Sequence, residues 1–177
     1  MIRGPVGIRL TDLRPPVQEG ASRDSQWIYF RAPRPAQSGY LVTTLGNALT
    51  ALNAAPGYVL LDEEAPLTSA RVVLSIDYEQ GYARWPLDVN TRGSEVPVEG
   101  AAKIRFTMFV DGERVKSGVL SETPNDFRVP VRLIRRDNVQ KVISDSLAHQ
   151  YHKATTDLLD DLLWRISEEW PTSPKGF

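Results

Sequence analysis

The last third of this chain reads as one long amphipathic helix, about residues 137–169, and that segment most restricts what the chain can fold into. Val139, Ile143, Leu147, Tyr151, Ala154, Leu158, Leu162 and Ile166 recur at helical spacing and form a sustained apolar stripe. Asp137 is placed to cap it, with Gln140 three residues on in a capping-box pattern, and Pro171 follows its end. About 32 residues at ~1.5 Å rise would reach nearly 50 Å. Such a stripe cannot stay in water, so the preceding two-thirds must supply the surface that receives it.

That surface reads as a sheet. Val6 to Thr11 alternates apolar and polar residues, and Trp27 to Phe30 is aromatic and β-branched. Gln18 to Ser25 is polar and reads as a loop. Ser38 is a plausible N-cap for a first helix, in which Leu41, Leu45, Ala48, Leu49 and Leu52 share a face before Pro56-Gly57 stops it. Tyr58 to Leu61 is a short apolar run expected to be a buried strand. Ala70 to Tyr78 alternates cleanly, with Val72, Leu74, Ile76 and Tyr78 on one face. Glu79 to Gly100 reads as a long irregular connection. Lys103 to Val110 and Arg114 to Glu122 form a hairpin about Asp111-Gly112, and Phe127 to Ile134 is a further candidate strand. The expected fold is therefore α+β: a two-layer sandwich in which two helices pack on one face of a mainly antiparallel sheet. The helix is also expected to be longer than its sheet, with an end that projects, kinks or meets a partner. At 177 residues the prior is a single domain, 1–177.

Composition excludes several functions. With no cysteine there is no disulfide, thiolate nucleophile or cysteine-ligated metal. A formal net charge of -1 gives no global reason to expect nucleic acid, and no segment approaches the ~20 apolar residues of a membrane-spanning helix. No cofactor motif is present; Gly39 and Gly46 lack dinucleotide or phosphate-loop spacing. His149 and His152 lie three apart, with Asp145 one turn earlier, a spacing too common on helices to indicate a metal. Asp62-Glu63-Glu64 and Asp160-Asp161 read as solvated surface rather than an acid–base pair. No triad-like arrangement stands out, so no enzyme is expected.

The element order is similar to that of small bacterial outer-membrane lipoproteins of the LptE and YajG type. A Leu-rich helix leads to Gly57-Tyr58-Val59-Leu60, then to Ala70-Arg71-Val72-Val73-Leu74, a hairpin and a long C-terminal helix. The resemblance implies a short sheet under two helices and a role without catalysis. It also implies a periplasmic, outer-membrane-associated location if a leader precedes these residues. If Met1 is the natural start, a virion or cytoplasmic location is expected instead.

Two surfaces are candidates for binding. Arg128, Arg132, Arg135, Arg136 and Lys141 form the strongest local charge feature, with Arg128 and Arg132 expected on one strand face. They suit an anionic ligand or an acidic partner. Tyr82 and Trp85, in the expected long loop, suit an interface anchor. Leu163, Trp164, Ile166 and Trp170 crowd the end of the last helix, and cannot all share one stripe when successive residues lie roughly 100° apart. A partner protein or self-association is expected there. The leading function is an envelope-associated binding or assembly domain; the alternative is a structural subunit of a larger particle, such as a phage head–tail or tail component.

Overall fold

The computed structural model describes residues 5–14, 22–23, 26–31, 34–53, 57–87 and 93–170. In chain order the elements are β1 (Val6–Asp12), β2 (Ser22–Arg23), β3 (Trp27–Phe30), α1 (Arg34–Asn53), β4 (Tyr58–Leu60), β5 (Val72–Pro86), β6 (Glu95–Pro97), β7 (Glu99–Val110), β8 (Glu113–Glu122), β9 (Arg128–Pro130), a 3-10 turn (Val131–Leu133) and α2 (Val139–Ser167). The fold is α+β, with a mainly antiparallel seven-stranded sheet and two helices on one of its faces. The expected stop at Pro56 and most of the stretch from Gln18 to Ser25 lie outside the described residues; Ser22–Arg23 within it pairs with β3.

β5 is the spine. One edge pairs along its length with β7, which in turn pairs with β8. The other edge is shared. β1 runs parallel to Val73–Tyr78, and β3 runs antiparallel to Ala83–Pro86 in the same lane. β4 pairs parallel to β1 at the margin. It was expected as a buried strand, yet Leu60 is 61% exposed, because an edge strand has a neighbour on one side only.

The expected long loop from Glu79 to Gly100 is largely strand. β5 continues to Pro86, and β7 begins at Glu99. The register between β5 and β7 shifts between Tyr78 and Gln80. One extra residue in a strand reverses which parity faces inward. Before the shift Val72, Leu74, Ile76 and Tyr78 point to the helices; after it Gly81, Ala83 and Trp85 do. The alternation therefore breaks in the sequence without the strand ending.

Two apolar clusters form under the helices. In the first, Ile8, Leu74, Ile104, Phe106 and Met108 meet Leu41, Leu45 and Leu49 of α1 and Leu158, Leu162 and Ile166 of α2. In the second, Ala83, Trp85, Val96, Val98 and Val129 meet Leu147 and Tyr151. β6 and β9 make a separate two-stranded sheet over this end, so the expected strand from Phe127 to Ile134 stops at Pro130. α2 sits close to β7 at Gly100, where a Cβ would lie 2.6 Å from the Gln150 carbonyl oxygen. The Gln150 amide there donates to the Val98 carbonyl at 2.8 Å.

The helices differ from expectation at their ends. α1 begins at Arg34, so Ser38 is inside it and not its cap; Pro35 falls in the first turn, where a missing amide breaks no helical bond. α2 begins after Asn138, not Asp137, and no side-chain cap bond is made. Asn138 instead accepts from the Arg135 amide at 2.7 Å. With 29 residues α2 is ~44 Å long, while the 15 residues of β5 extend about 50 Å. The helix does not outrun its sheet.

A buried polar network marks the place where β1 leaves the lane that β3 takes up. Arg14 is held against Asp12 by two bonds, Nε to Oδ1 at 2.9 Å and a terminal nitrogen to Oδ2 at 2.6 Å. Its guanidinium lies 4.4 Å from the Tyr78 ring centroid and donates to the Tyr151 hydroxyl at 3.5 Å. The Tyr78 and Tyr151 hydroxyls are 3.4 Å apart. Gly81 makes this possible, since a Cβ there would sit 1.7 Å from the Tyr78 hydroxyl. Burial, and then Tyr78, push the Tyr151 phenol well above its ordinary 10.0. A raised folded-state value means the protonated phenol is favoured in the native protein, and the unfolded phenol ionises first. Stability is thus expected to fall above about pH 10, by up to about 1.4 kcal/mol per pH unit from this group. Denaturant titrations at rising pH should show that slope reduced in Tyr151→Phe; an unchanged slope would remove Tyr151 from the account.

Candidate functional site

The helices cover one face of the sheet, and the other face carries the candidate site. On the strand side of the parity shift, Tyr82 and Arg84 of β5 point outward, and so do Trp27 and Tyr29 of β3. Tyr29 stands directly beside Arg84 and diagonal to Tyr82, which brings the two tyrosine rings edge to face at 5.8 Å. Arg31, just past β3, lies 4.7 Å from the Tyr29 centroid and 6.0 Å from that of Tyr82. Arg84 lies 4.0 Å over Trp27 and pairs across the strand with Glu99 at 2.5 Å. These side chains are all half-buried, which suits rings that lie flat on a sheet with one side still open to solvent.

The electrostatics hold the cluster in place. Partial burial works against the Arg84 charge, but the Glu99 carboxylate more than offsets it and keeps the guanidinium charged. Further along the face Glu79, the residue at the register shift, receives Lys103 at 2.9 Å and Arg105 at 3.0 Å. The hydrogen bond from Lys103 holds its carboxyl below the usual range. Toward β1 the face is covered by the connection after β4: Leu61 packs over Gly7, and Arg9 donates to the Ala65 carbonyl. The face is left open at its β3 end and again along β7 and β8, where Val119, paired with Arg105, is 52% exposed; the aromatic residues gather at the β3 end.

Tyr82, expected as an anchor in a loop, is part of this cluster, but on a strand. Trp85 is not. It is 3% exposed, because the parity shift turns it inward into the second cluster with Val96 and Val98. Trp27, Tyr29, Arg31 and Arg84 were not singled out from sequence. The signal was present in Trp27-Ile28-Tyr29-Phe30, where aromatic residues occupy both parities, so at least one ring must face outward.

The basic residues fall at a separate corner. Arg128 is on β9 and Arg132 in the 3-10 turn, so they are not mates on one strand face as expected. Arg135 and Arg136 follow in the turn before α2, and all four are exposed. Lys141 is on α2 and pairs with Asp145 at 2.5 Å. His149 and His152 are exposed on α2, with the His149 ring 4.6 Å from that of Phe127. Among the described residues no group of three or more potential metal ligands gathers.

The end of α2 is mostly turned to its own core. Ile166 is fully buried, and Leu163 and Trp170 pack against the first cluster. Lys116 of β8 pins the helix end through Glu168 at 3.0 Å. Of the four residues expected at an interface, Trp164 is the exposed one, at 61%. The crowding resolves because Leu163 and Ile166 face the sheet, while Trp164 takes the outer side. No described helix is long and apolar enough to cross a membrane.

No family model matches the chain, and no curated protein is similar to it in sequence. Solved structures of similar fold exist. A Xanthomonas campestris protein of the DUF330 family superposes with a TM-score of 0.51 at 11% identity, over 92% of this chain and 82% of that one. PelC from Paraburkholderia phytofirmans, crystallised as a dodecamer, gives 0.42 at 16% identity, over 92% and 88%. A Neisseria meningitidis lipoprotein gives 0.32 at 12% identity, over 80% and 94%. None of the three is described as of the LptE or YajG type. At 11% identity the first likeness is one of fold alone, and nothing about function follows from the other two: this chain shares its fold with the Xanthomonas protein.

Proposed function

We propose that this chain is a non-enzymatic binding and assembly domain of the bacterial envelope, and that it engages a protein partner through the open end of its sheet. The observation that carries this is the cluster of Trp27, Tyr29, Arg31, Tyr82 and Arg84 on the face that no described helix covers. Trp, Tyr and Arg are the residue types that dominate binding energy at protein interfaces. Here their rings and guanidinium groups already pack on one another, so little side-chain freedom remains to be lost on association. The envelope setting is supported by the resemblance of element order to outer-membrane lipoproteins. A structural subunit of a larger particle is the second reading, and would use the same face.

The test is a Tyr29→Ala/Tyr82→Ala variant of the full chain. Both residues are half-buried on the surface, so the fold should persist, as circular dichroism would report. Loss of two centrally placed anchors of at least ~2 kcal/mol each would weaken association by a thousand-fold or so. The native mass of the complex recovered from the source organism should collapse toward that of the free chain. An unchanged mass and the same partners in a folded variant would end the proposal. A small hetero-complex in the wild type would support the envelope reading, and a large closed assembly of copies the particle reading.

A further inference from the structure

The corner at the start of α2 combines charge and an apolar tip in a way the fold does not require. Between Phe127 and Lys141 there are five cations, Arg128, Arg132, Arg135, Arg136 and Lys141, against one carboxylate, Asp137, in a chain whose net charge is -1. Lys141 is taken by Asp145. The four arginines have no ion pair among the described residues. In their midst Leu133 is 54% exposed. Its neighbours Val131 and Ile134 pack inward on the second cluster, so the 3-10 turn holds Leu133 out while anchoring its own flanks.

The turn is rigid. Val131 donates its amide to the Ser94 carbonyl at 2.9 Å, and Ile134 to Val131 at 3.0 Å. The Asn138 side chain donates to the Leu133 carbonyl at 3.0 Å and accepts from the Arg135 amide at 2.7 Å. An apolar side chain fixed outward by four hydrogen bonds, with arginines on both sides of it, has the layout of a shallow membrane wedge: guanidinium groups at the level of lipid phosphates and an alkyl tip just beneath. An acidic protein segment would be served by the arginines but would gain little from a protruding leucine. Among the described residues, exposed Glu95 on the strand paired with β9, Asp126 ahead of Arg128, and Asp137 are the carboxylates near this corner; the four arginines outnumber them.

We infer that the Arg128–Arg136 corner docks on a bilayer surface bearing anionic phospholipid, with Leu133 entering the interface between the arginines. This surface is distinct from the aromatic face, and the inference does not depend on that face binding a protein. A single leucine and four charges make a reversible contact, weakened by salt.

The experiment is co-sedimentation of the full chain with vesicles of phosphatidylcholine alone, and of phosphatidylcholine mixed equally with phosphatidylglycerol. The wild type should partition onto the mixed vesicles and stay in solution with the neutral ones. Each cation near an anionic surface contributes roughly five-fold to partitioning. An R132A/R135A/R136A variant should therefore lose on the order of a hundred-fold. Leu133→Ser should lose up to roughly ten-fold while keeping the salt dependence. Lys103→Ala/Arg105→Ala, on the sheet face, should bind as the wild type does. Equal binding to both vesicle types, or full binding by the arginine variant, would overturn the inference. So would absence of binding to either vesicle, as a corner reserved for an acidic protein predicts. An unaffected Leu133→Ser variant would overturn the wedge.

Discussion

Leu158→Ala is expected to lower the unfolding free energy by about 2–5 kcal/mol, as for other large-to-small changes in well-packed cores. Leu158 is fully buried in the second half of α2, in the first cluster with Leu162 and Ile166 on the same stripe. The cluster it belongs to draws on α1 and on the strands of the sheet, so the cavity left by truncation has walls from several elements and little scope to collapse. Chemical denaturation of the variant reads the effect directly as a shift of the midpoint at constant slope. Trp164→Ala is the internal comparison, because that side chain lies on the outer side of the same helix. A change within about 0.5 kcal/mol is expected there in the free chain. Equal effects at the two positions would mean that α2 is not the clamp on the sheet.

Arg14→Ala is expected to have a comparable effect by a different route. Removing one partner of a buried ion pair takes the compensating charge from the other, which costs about 3–5 kcal/mol. Arg14 and Asp12 have side chains only 5% and 12% exposed, and the guanidinium also spans Tyr78 and Tyr151. Truncation would strip the bidentate partner from Asp12 and open a void over the Tyr78 ring. The double variant Asp12→Ala/Arg14→Ala should be less unstable than the sum of the two single variants, since the Asp12–Arg14 contact they share is lost only once. Additive losses in that cycle would show that Arg14 acts by packing and not by charge.

The two variants report on different sources of information. Leu158 stands in the helical stripe that is plain from spacing, and its burial follows from periodicity alone. Arg14 stands in Leu13-Arg14-Pro15-Pro16, where nothing local marks an arginine for burial. It is buried because β1 ends opposite Tyr78, where the register shift and Gly81 leave room for a hydroxyl network. The same shift explains Trp85. Strict alternation carried past Tyr78 puts the wrong residues outside, and the lost pattern looks like a loop.

Local causes suffice for β1, the first half of β5, the hairpin of β7 and β8 about Asp111-Gly112, and the buried stripe of α2, all of them legible in residue spacing. The α+β class follows from the same spacing, since a long one-sided helix and alternating strands have few ways to cover each other. What depends on register between distant segments is fixed only when the chain packs. β1 and β3 share one edge of β5, and this brings Tyr29 and Arg31 beside Tyr82 and Arg84 from more than fifty positions away. Packing also set the helix against a sheet long enough to receive it, so that Ile166 and Leu163 turned inward and Trp164 alone of that group was left largely exposed. A side chain's period says which face of its own element it occupies; which of those faces meets solvent is set by what the rest of the chain lays across it.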